Sequence, residues 1–314
     1  MNQPQTMTMR DAFLARLHAG MATDNRIFVV TDDFGAPMLD KIRSDFGNRL
    51  VNVGIAEQNA VNVAAGLAHE GYVSFAYGIA GFMSMRCYEQ IRTNLSMASQ
   101  LRPLNANIVG VGAGISYDLS GPSHHCLEDL TLMRLLPNLE VFSPSDWMLA
   151  GEIAAYAPRS NRPKYIRLDS KPLPQIYQTG SLPCLENGFH ELAHGKNVCL
   201  VSTGYMTHVA LRAAAQATES LGVVDLFAFP PLNTELLRKT LQSYRHVITL
   251  EEGFIHRGGI DMLVLDLVAA AGIRVHSLGF DGRYLFEIGN RAQLHKLSGI
   301  DEAGILQTVK KISS

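Results

Sequence analysis

The chain has 314 residues, of which 47% are hydrophobic and 18% charged, and its formal net charge is −2. This length fits two globular domains, and the small net charge excludes nucleic acid or a membrane surface as the main partner. The four cysteines form no C-x-x-C pair, which indicates reduced thiols rather than disulfides or a zinc site. The first ten residues are polar, so we expect no signal peptide and a cytoplasmic protein.

The first half of the chain alternates short apolar runs with helical periodicity, a pattern typical of α/β folds with parallel sheets. Strands are predicted at residues 27–31, 50–53, 72–77, 107–111, 139–142 and 165–168. Helices are predicted at residues 11–19, 57–69, 82–99, 127–136 and 147–156.

Residues 171–188 interrupt this pattern with three prolines and two glycines, which predicts a linker. Further strands are predicted at residues 198–203, 223–229, 246–251 and 274–278. Further helices are predicted at residues 207–221, 235–244, 259–271 and 301–312. We therefore predict two doubly wound α/β domains, residues 1–175 and 176–314.

Polar segments follow three of the predicted strands, where ligands of parallel sheets bind. They are Thr31 to Asp33, Gly54 to Glu57, and the loop from Gly112 to His125. The glycines 110, 112 and 114 in the last region have the spacing G-x-G-x-G and lead into a polar loop. A dinucleotide site needs G-x-G-x-x-G at the start of a helix, so we do not predict one.

Glu57 begins a predicted helix, where a carboxylate is also an ordinary capping charge. Its sequence context decides between a capping charge and a functional carboxylate. The string from Val53 to Ala60 reads VGIAEQNA and resembles a signature of the transketolase and deoxyxylulose-phosphate synthase family. In that family the glutamate hydrogen-bonds N1′ of the thiamine diphosphate aminopyrimidine. The resemblance implies this cofactor, with Glu57 as a catalytic residue.

The same resemblance assigns further cofactor contacts. Phe82, Met85 and Tyr88 share a helix face, which alone would indicate a core stripe. In the family, aromatic side chains of this helix pack around the pyrimidine ring; Phe82 and Tyr88 match two of them, and Met85 replaces a third. A thioether can also pack on a ring face. Asp33 matches the family's strand-end aspartate at the cofactor interface.

The segment Ser120–His125 (SGPSHH) resembles the family's D-G-P-T-H-Q loop. The resemblance implies that His124 is catalytic and contacts sugar hydroxyls, with His125 as a second polar contact. Ser120 stands where transketolases have an aspartate that reads a sugar hydroxyl, and Gly112 stands where they have a histidine. We therefore expect an altered sugar site.

Two arginines could bind an anion on the substrate. Arg167 matches a strand-end arginine that binds the sugar phosphate in transketolases, and Arg10 corresponds to a second one. A planar guanidinium pairs well with tetrahedral oxyanions. For each arginine the alternative is an ordinary ion pair.

The resemblance runs from about residue 10 to the end, and no stretch matches the family's G-D-G…N motif for Mg²⁺ and diphosphate. It implies an N-terminal partner subunit that carries the Mg²⁺ ligands, an α2β2 heterotetramer, and activity only in that complex. The predicted reaction is transfer of a two-carbon ketol unit between sugars or sugar phosphates. The alternatives are a decarboxylating ligase or dehydrogenase β subunit acting on pyruvate, and a non-catalytic scaffold paralogue.

Overall fold

The computed structural model describes residues 6–313. Residues 1–5, where the predicted first domain and the polar N-terminal segment begin, and residue 314 lie outside the described residues. The chain forms two compact units. The first unit comprises the chain up to Ala113 and Leu132–Leu182; the second comprises Gly114–Thr131 and the chain from Pro183. Within residues 6–313, no helix combines the length and apolar composition that a membrane span requires.

The first unit is built on a six-stranded sheet in the order β3-β2-β4-β5-β7-β6, with every strand pair parallel. A separate antiparallel pair joins β1 and β8. The strands are β1 (Thr6–Thr8), β2 (Ile27–Thr31), β3 (Leu50–Asn52), β4 (Val73–Ile79), β5 (Ala106–Val111), β6 (Glu140–Phe142), β7 (Lys164–Leu168) and β8 (Pro172–Pro174).

Helices connect these strands, as parallel pairing requires. They are α1 (Met9–Met21), α2 (Pro37–Phe46), α3 (Glu57–His69), α4 (Ala80–Met85), α5 (Tyr88–Gln90), α6 (Asp129–Arg134) and α7 (Trp147–Tyr156). The chain continues after α5 as a π-helical segment, Ile91–Met97. Helix α1 begins where the Thr8 hydroxyl accepts the Asp11 N–H, and it buries an apolar face against α7.

The second unit is built on a five-stranded sheet in the order β13-β12-β10-β11-β9. All its pairs are parallel except β11 with the edge strand β9. The strands are β9 (Phe189–Ala193), β10 (Val198–Ser202), β11 (Gly222–Leu226), β12 (His246–Phe254) and β13 (Arg274–Phe280). The helices are α8 (Met206–Gln216), α9 (Thr234–Leu241), α10 (Ile260–Val268), α11 (Arg291–Ser298) and α12 (Glu302–Ser313).

The predicted strands are all present, in largely parallel sheets as expected. The structure adds elements that the sequence did not predict: β1, β8, β9, α2 and α11. The predicted helix 82–99 is divided into α4, α5 and the π-helical segment. β8 falls at the start of the predicted linker, where it pairs with β1.

Candidate active site

In the first sheet, the side on which the next strand is added changes between β2 and β4. From β2 the chain passes to its neighbour β3 on one side, and from β4 to β5 on the other. Such a switch point opens a crevice at the carboxyl ends of the strands, where α/β proteins bind ligands. Asp32 follows β2, α3 begins shortly after β3, and α4 continues directly from β4.

Glu57 lies in this region as the first residue of α3. The helix dipole favours a carboxylate there, and the residue is only 7% exposed. Its side chain lines a cavity of about 530 Å³, together with residues 55–59, Asn62 and Arg86. This volume is within the range of small-molecule sites.

Arg86 is the charged partner of Glu57. Its Nη1 donates to Glu57 Oε1 over 2.7 Å, and its guanidinium lies 4.0 Å from the centroid of the Phe82 ring. Gln58 Nε2 donates to the Arg86 carbonyl oxygen over 3.1 Å. The structure therefore brings both Glu57 and Phe82 into contact with one exposed guanidinium.

The predicted cofactor face of the α4–α5 segment is not part of the core. From α4 to the π-helical segment, one fully buried residue recurs at every fourth position: Met83, Cys87, Ile91 and Leu95. Phe82 and Tyr88 are half-buried and Met85 is 38% exposed. A core role therefore does not explain Met85.

Asp32, the neighbour of the predicted Asp33, interacts electrostatically with Glu57. Asp32 is 7% exposed; its burial and, second, the charge of Glu57 raise its pKa to about 6. Asp33 is exposed, has a left-handed φ of 70°, and accepts a 2.9 Å hydrogen bond from Asn52 Nδ2. The crevice therefore contains two carboxyl groups, Asp32 and Glu57.

The segment Ser120–His125, which is predicted to contact the sugar, belongs to the second unit. Ser120 is exposed, and His124 is half-buried with Nδ1 3.1 Å from Ser123 Oγ. His125 is only 3% exposed, and burial lowers its pKa. The imidazole of His125 is therefore neutral at pH 7.

The two predicted anion-binding arginines lie in the first unit. Arg167 is 3% exposed in β7, opposite Gly110 of β5. Arg10 is in the first turn of α1, and its Nε donates to Asp11 Oδ1 over 2.9 Å. Arg10 therefore pairs with its neighbour in the chain, and Arg167 is buried within the sheet.

Asp32 and Arg86 were not predicted as site residues. Arg86 had a sequence signal, because it opens the run from Arg86 to Ile91 that looks like the family's R-A-Y/F-D-Q-I/V. Asp32 had none that separates it from Asp33, since both directly follow the apolar run of β2. Only the backbone at Thr31 to Phe34 turns one carboxyl inward and the other outward.

Comparison with known proteins identifies the family of both halves of the chain. Residues 5–175 match "Transketolase, pyrimidine binding domain" and residues 189–305 match "Transketolase, C-terminal domain". The chain belongs to the transketolase family. The fold class predicted from the sequence, two α/β domains of this family, is confirmed, as is the prediction of a thiamine-diphosphate-dependent transferase.

Relatives of similar length are single subunits. An apulose-4-phosphate transketolase subunit of Actinobacillus succinogenes is 32% identical over 88% of this chain and 89% of its own length. A solved structure described as "Split gene transketolase, inactive beta4 tetramer" is 30% identical with a TM-score of 0.86, covering 97% of this chain and 98% of that one. The 1-deoxy-D-xylulose-5-phosphate synthase of Gloeobacter violaceus is 31% identical over 87% of this chain, but only 43% of its own length. The chain therefore matches split-transketolase subunits over most of their own length, and the synthase over less than half of its length.

Proposed function

We propose that this chain supplies the aminopyrimidine side of a thiamine diphosphate site in a two-subunit transketolase. The assembled enzyme transfers a two-carbon ketol unit between sugars that carry a terminal anion. One observation carries the proposal: buried Glu57 lines a cavity of small-molecule size together with Arg86, whose guanidinium lies over the Phe82 ring.

The residues around the cavity suit an aminopyrimidine ring. A carboxyl at a helix start can hydrogen-bond a ring nitrogen and share a proton with it, which is the catalytic role that we assign to Glu57. Phe82, Met85 and Tyr88 provide the apolar contacts, and we keep Asp33 as a contact at the cofactor interface. When bound, the cofactor supplies the electron sink for the two-carbon unit.

Arg86 sets a condition on this role. Its guanidinium donates a 2.7 Å hydrogen bond to the Glu57 carboxyl, the same carboxyl that we assign to the ring nitrogen. Arg86 is 53% exposed, so water can solvate its side chain when it leaves Glu57, but the side chain then also gives up its contact with the Phe82 ring. Cofactor binding therefore replaces one charge-assisted hydrogen bond of Glu57 with another.

We assign the sugar contacts to His124, His125 and Ser120, and the substrate anion to Arg167 with Arg10. The related enzymes support an anion, since the names of the Actinobacillus transketolase subunit and of the Gloeobacter synthase both specify a phosphate. Ser120 and Gly112 are smaller than the family's groups, so the site near the reacting carbons should be roomier and less charged.

The assembly is the third part of the proposal. We propose an N-terminal transketolase subunit as partner, which holds the diphosphate and Mg²⁺, and an α2β2 heterotetramer located in the cytoplasm. The Actinobacillus relative, which matches this chain in length, is named as one subunit of its transketolase, and this supports such a partner. We keep residues 1–175 as the pyrimidine-binding domain and 176–314 as the C-terminal domain, joined around 171–188.

A transfer assay on the complex with the N-terminal subunit tests the function. We expect ketol transfer between sugar phosphates and no release of CO₂ from pyruvate. Glu57→Gln should lower the rate about 10²- to 10⁴-fold, because the amide cannot exchange the proton. Glu70→Gln, at the exposed far end of α3, is the matched control and should retain the wild-type rate.

The outcomes separate the alternatives. Decarboxylation of pyruvate without ketol transfer would establish the synthase-like or dehydrogenase-like function instead. Absence of both reactions would establish a scaffold. Arg167→Ala should weaken kcat/KM for an anionic sugar much more than for the matched neutral sugar, by roughly 1.5–3 kcal/mol; equal losses, or a drop in melting temperature alone, would make Arg167 structural.

A further inference from the structure

The loop that carries Ser120, His124 and His125 is closed at its base. Gly114 and Cys126 form an antiparallel bridge, in which the Cys126 N–H donates to the Gly114 carbonyl over 2.7 Å. We call residues 114–126 the sugar loop. Within it the His124 N–H donates to the Gly121 carbonyl over 3.0 Å. The loop therefore has a defined shape, and its placement depends on what holds its base.

A buried charge cluster lies in the same unit. Glu252 of β12 accepts hydrogen bonds from Arg291 Nε at 2.7 Å and Nη2 at 2.6 Å, and His295 Nε2 lies 2.5 Å from it. Arg291 and His295 are four residues apart in α11, which puts both on one face. The Arg291 guanidinium also stacks 3.6 Å from the centroid of the Tyr205 ring.

Glu252 stays ionised in this cluster although its carboxyl is buried. Burial by itself would raise the pKa of Glu252, but the charge of Arg291 and the hydrogen bonds from Arg291 and His295 hold it below its ordinary value. A two-pronged guanidinium–carboxylate pair fixes direction as well as distance. The cluster is thus a rigid point within the second unit.

Two hydrogen bonds tie the sugar loop to this rigid point. The Ile115 N–H donates to Glu252 Oε2 over 3.2 Å. The backbone N–H of Arg291 donates to Asp118 Oδ2 over 2.9 Å, while Asp118 Oδ1 accepts the Leu119 N–H over 3.0 Å. One bond lies at the start of the loop and the other lies two residues before Ser120.

Gly114 shows how close this attachment is. A Cβ at this position would overlap the Glu252 carboxylate, and its φ of +58° is left-handed. Only glycine lets the backbone enter the loop directly against the carboxylate. The third glycine of G-x-G-x-G is therefore required by Glu252.

We infer that Glu252 and Arg291 are positioning residues for the sugar site, which set the placement of the loop that presents Ser120 and His124. The inference rests on the proposed function for the role of the loop. It gives the C-terminal domain a part in the reaction, although neither residue needs to touch substrate. Small displacements of a substrate-contacting group are costly, about 10²-fold for 1 Å.

The chain offers a matched control for a purely structural ion pair. Arg212 of α8 pairs with Glu302 at 2.5 Å and lies 6.0 Å from the same Tyr205 ring. Its partner belongs to α12 and not to the sugar loop. Arg212→Met therefore removes an arginine from the same aromatic ring while leaving both loop hydrogen bonds in place.

Hydrogen exchange on the purified chain tests the attachment without any assay of activity. Asp118→Ala removes the bond to the Arg291 backbone N–H, and Glu252→Gln weakens the bond to the Ile115 N–H together with the ion pair to Arg291. We expect amides of residues 115–126 to exchange about tenfold or more faster in both variants, and at the wild-type rate in Arg212→Met. Unchanged exchange in Asp118→Ala would overturn the inference, because that variant alters only the loop side of the bond.

Kinetics of the complex with the N-terminal subunit test the consequence. We expect Asp118→Ala and Glu252→Gln to lose about 10- to 100-fold in kcat/KM for sugars, with the affinity for thiamine diphosphate unchanged, and Arg212→Met to lose neither. Wild-type kinetics in a variant whose loop exchanges faster would overturn the positioning role. If wild type transfers no ketol unit, the proposed function fails, and so does the positioning role, while the exchange data still report on the attachment.

Discussion

The carboxyl groups of Asp32 and Glu57 lie close enough in the crevice for the charge of one to change the proton affinity of the other. Burial is the larger cause of the raised pKa of Asp32, and the charge of Glu57 is the second. Burial, then the charges of Glu57 and Asp32, also raise the pKa of Cys87 to about 12, so this thiol stays protonated. A further negative charge in the crevice is therefore unfavourable, whereas a protonated ring nitrogen beside the two carboxyl groups is favourable.

Asp32 predicts a particular pH dependence of stability. Its pKa is about 6 in the folded chain against an ordinary value of 3.8, so the folded state binds its proton more tightly. This contribution to stability is complete below about pH 3.8 and is lost as the pH rises through about 6. Asp32→Asn cannot ionise, so its melting temperature should gain on the wild type by on the order of 2–4 °C between pH 4 and pH 7.

Asp33→Asn is the control for this experiment, since the neighbouring carboxyl is exposed and bonded to Asn52. The charge of Asp33 is only the smallest cause of the raised pKa of Asp32, so the melting-temperature difference of this variant from the wild type should change much less over the same range. A flat difference for Asp32→Asn, or a slope shared by both variants, would show that Asp32 is not the titrating group. Calorimetry on the three purified chains decides the question.

At the residue level, a motif is what allows the sequence to single out one position, while the role of that position stays a prediction. VGIAEQNA located Glu57, and the structure places it at a helix start in a cavity wall. The sequence could not tell Asp32 from Asp33, because their difference is a backbone turn and not a residue type. Nor could it show that Arg86 pairs with Glu57, since 29 residues separate them and tertiary packing alone joins them.

At the scale of elements, strands of the parallel sheets were predictable because they are continuous apolar runs buried on both faces. The missed elements lack that signal. β9 is an edge strand with one fully buried residue, and α2 buries only Leu39 and Ile42. The segment after α4 follows the helical period, so its π-helical geometry at Ile91–Met97 was invisible in the sequence.

Two glycines predict opposite effects on these elements. Gly110 lies in β5, where an added Cβ would come within 2.8 Å of Ala80 Cα in α4. Gly66 is exposed in the interior of α3, with nothing within 4 Å of such a Cβ. Gly110→Ala should therefore cost about 1–3 kcal/mol through overpacking. Gly66→Ala should stabilise by roughly 0.5–1 kcal/mol, because alanine favours helix.

Urea unfolding of both variants measures these free energies against the wild type. The result also bears on the glycine pattern at residues 110–114, because destabilisation by Gly110→Ala assigns the first glycine to contact between β5 and α4. A neutral Gly110→Ala would remove that explanation. A destabilised Gly66→Ala would show that the exposed face of α3 is covered in solution.

At the scale of the whole molecule, the chain order and the spatial units differ in one informative place. Gly114–Thr131 lies in the first half of the sequence but clusters with the second unit. Ile115 and Leu127 are buried in the core that β10, β12 and α8 build. No sequence pattern indicates that this segment packs with the second unit, because it has the composition of an ordinary polar loop between two strands of the first sheet.

Activity of this chain should depend on its assembly with the N-terminal subunit. A related structure with 30% identity is described as an inactive β4 tetramer. We expect this chain to be inactive alone as well, because it is proposed to hold only the aminopyrimidine side of the cofactor. The purified chain, 34.4 kDa per copy, should show no turnover with thiamine diphosphate and Mg²⁺. Titration with the N-terminal subunit should raise activity to a plateau at equimolar ratio, and light scattering should then give the mass of two copies of each. Glu57→Gln should assemble with the same stoichiometry while remaining nearly inactive, which separates assembly from chemistry. Turnover by the chain alone, or a plateau at another ratio, would contradict the two-subunit site.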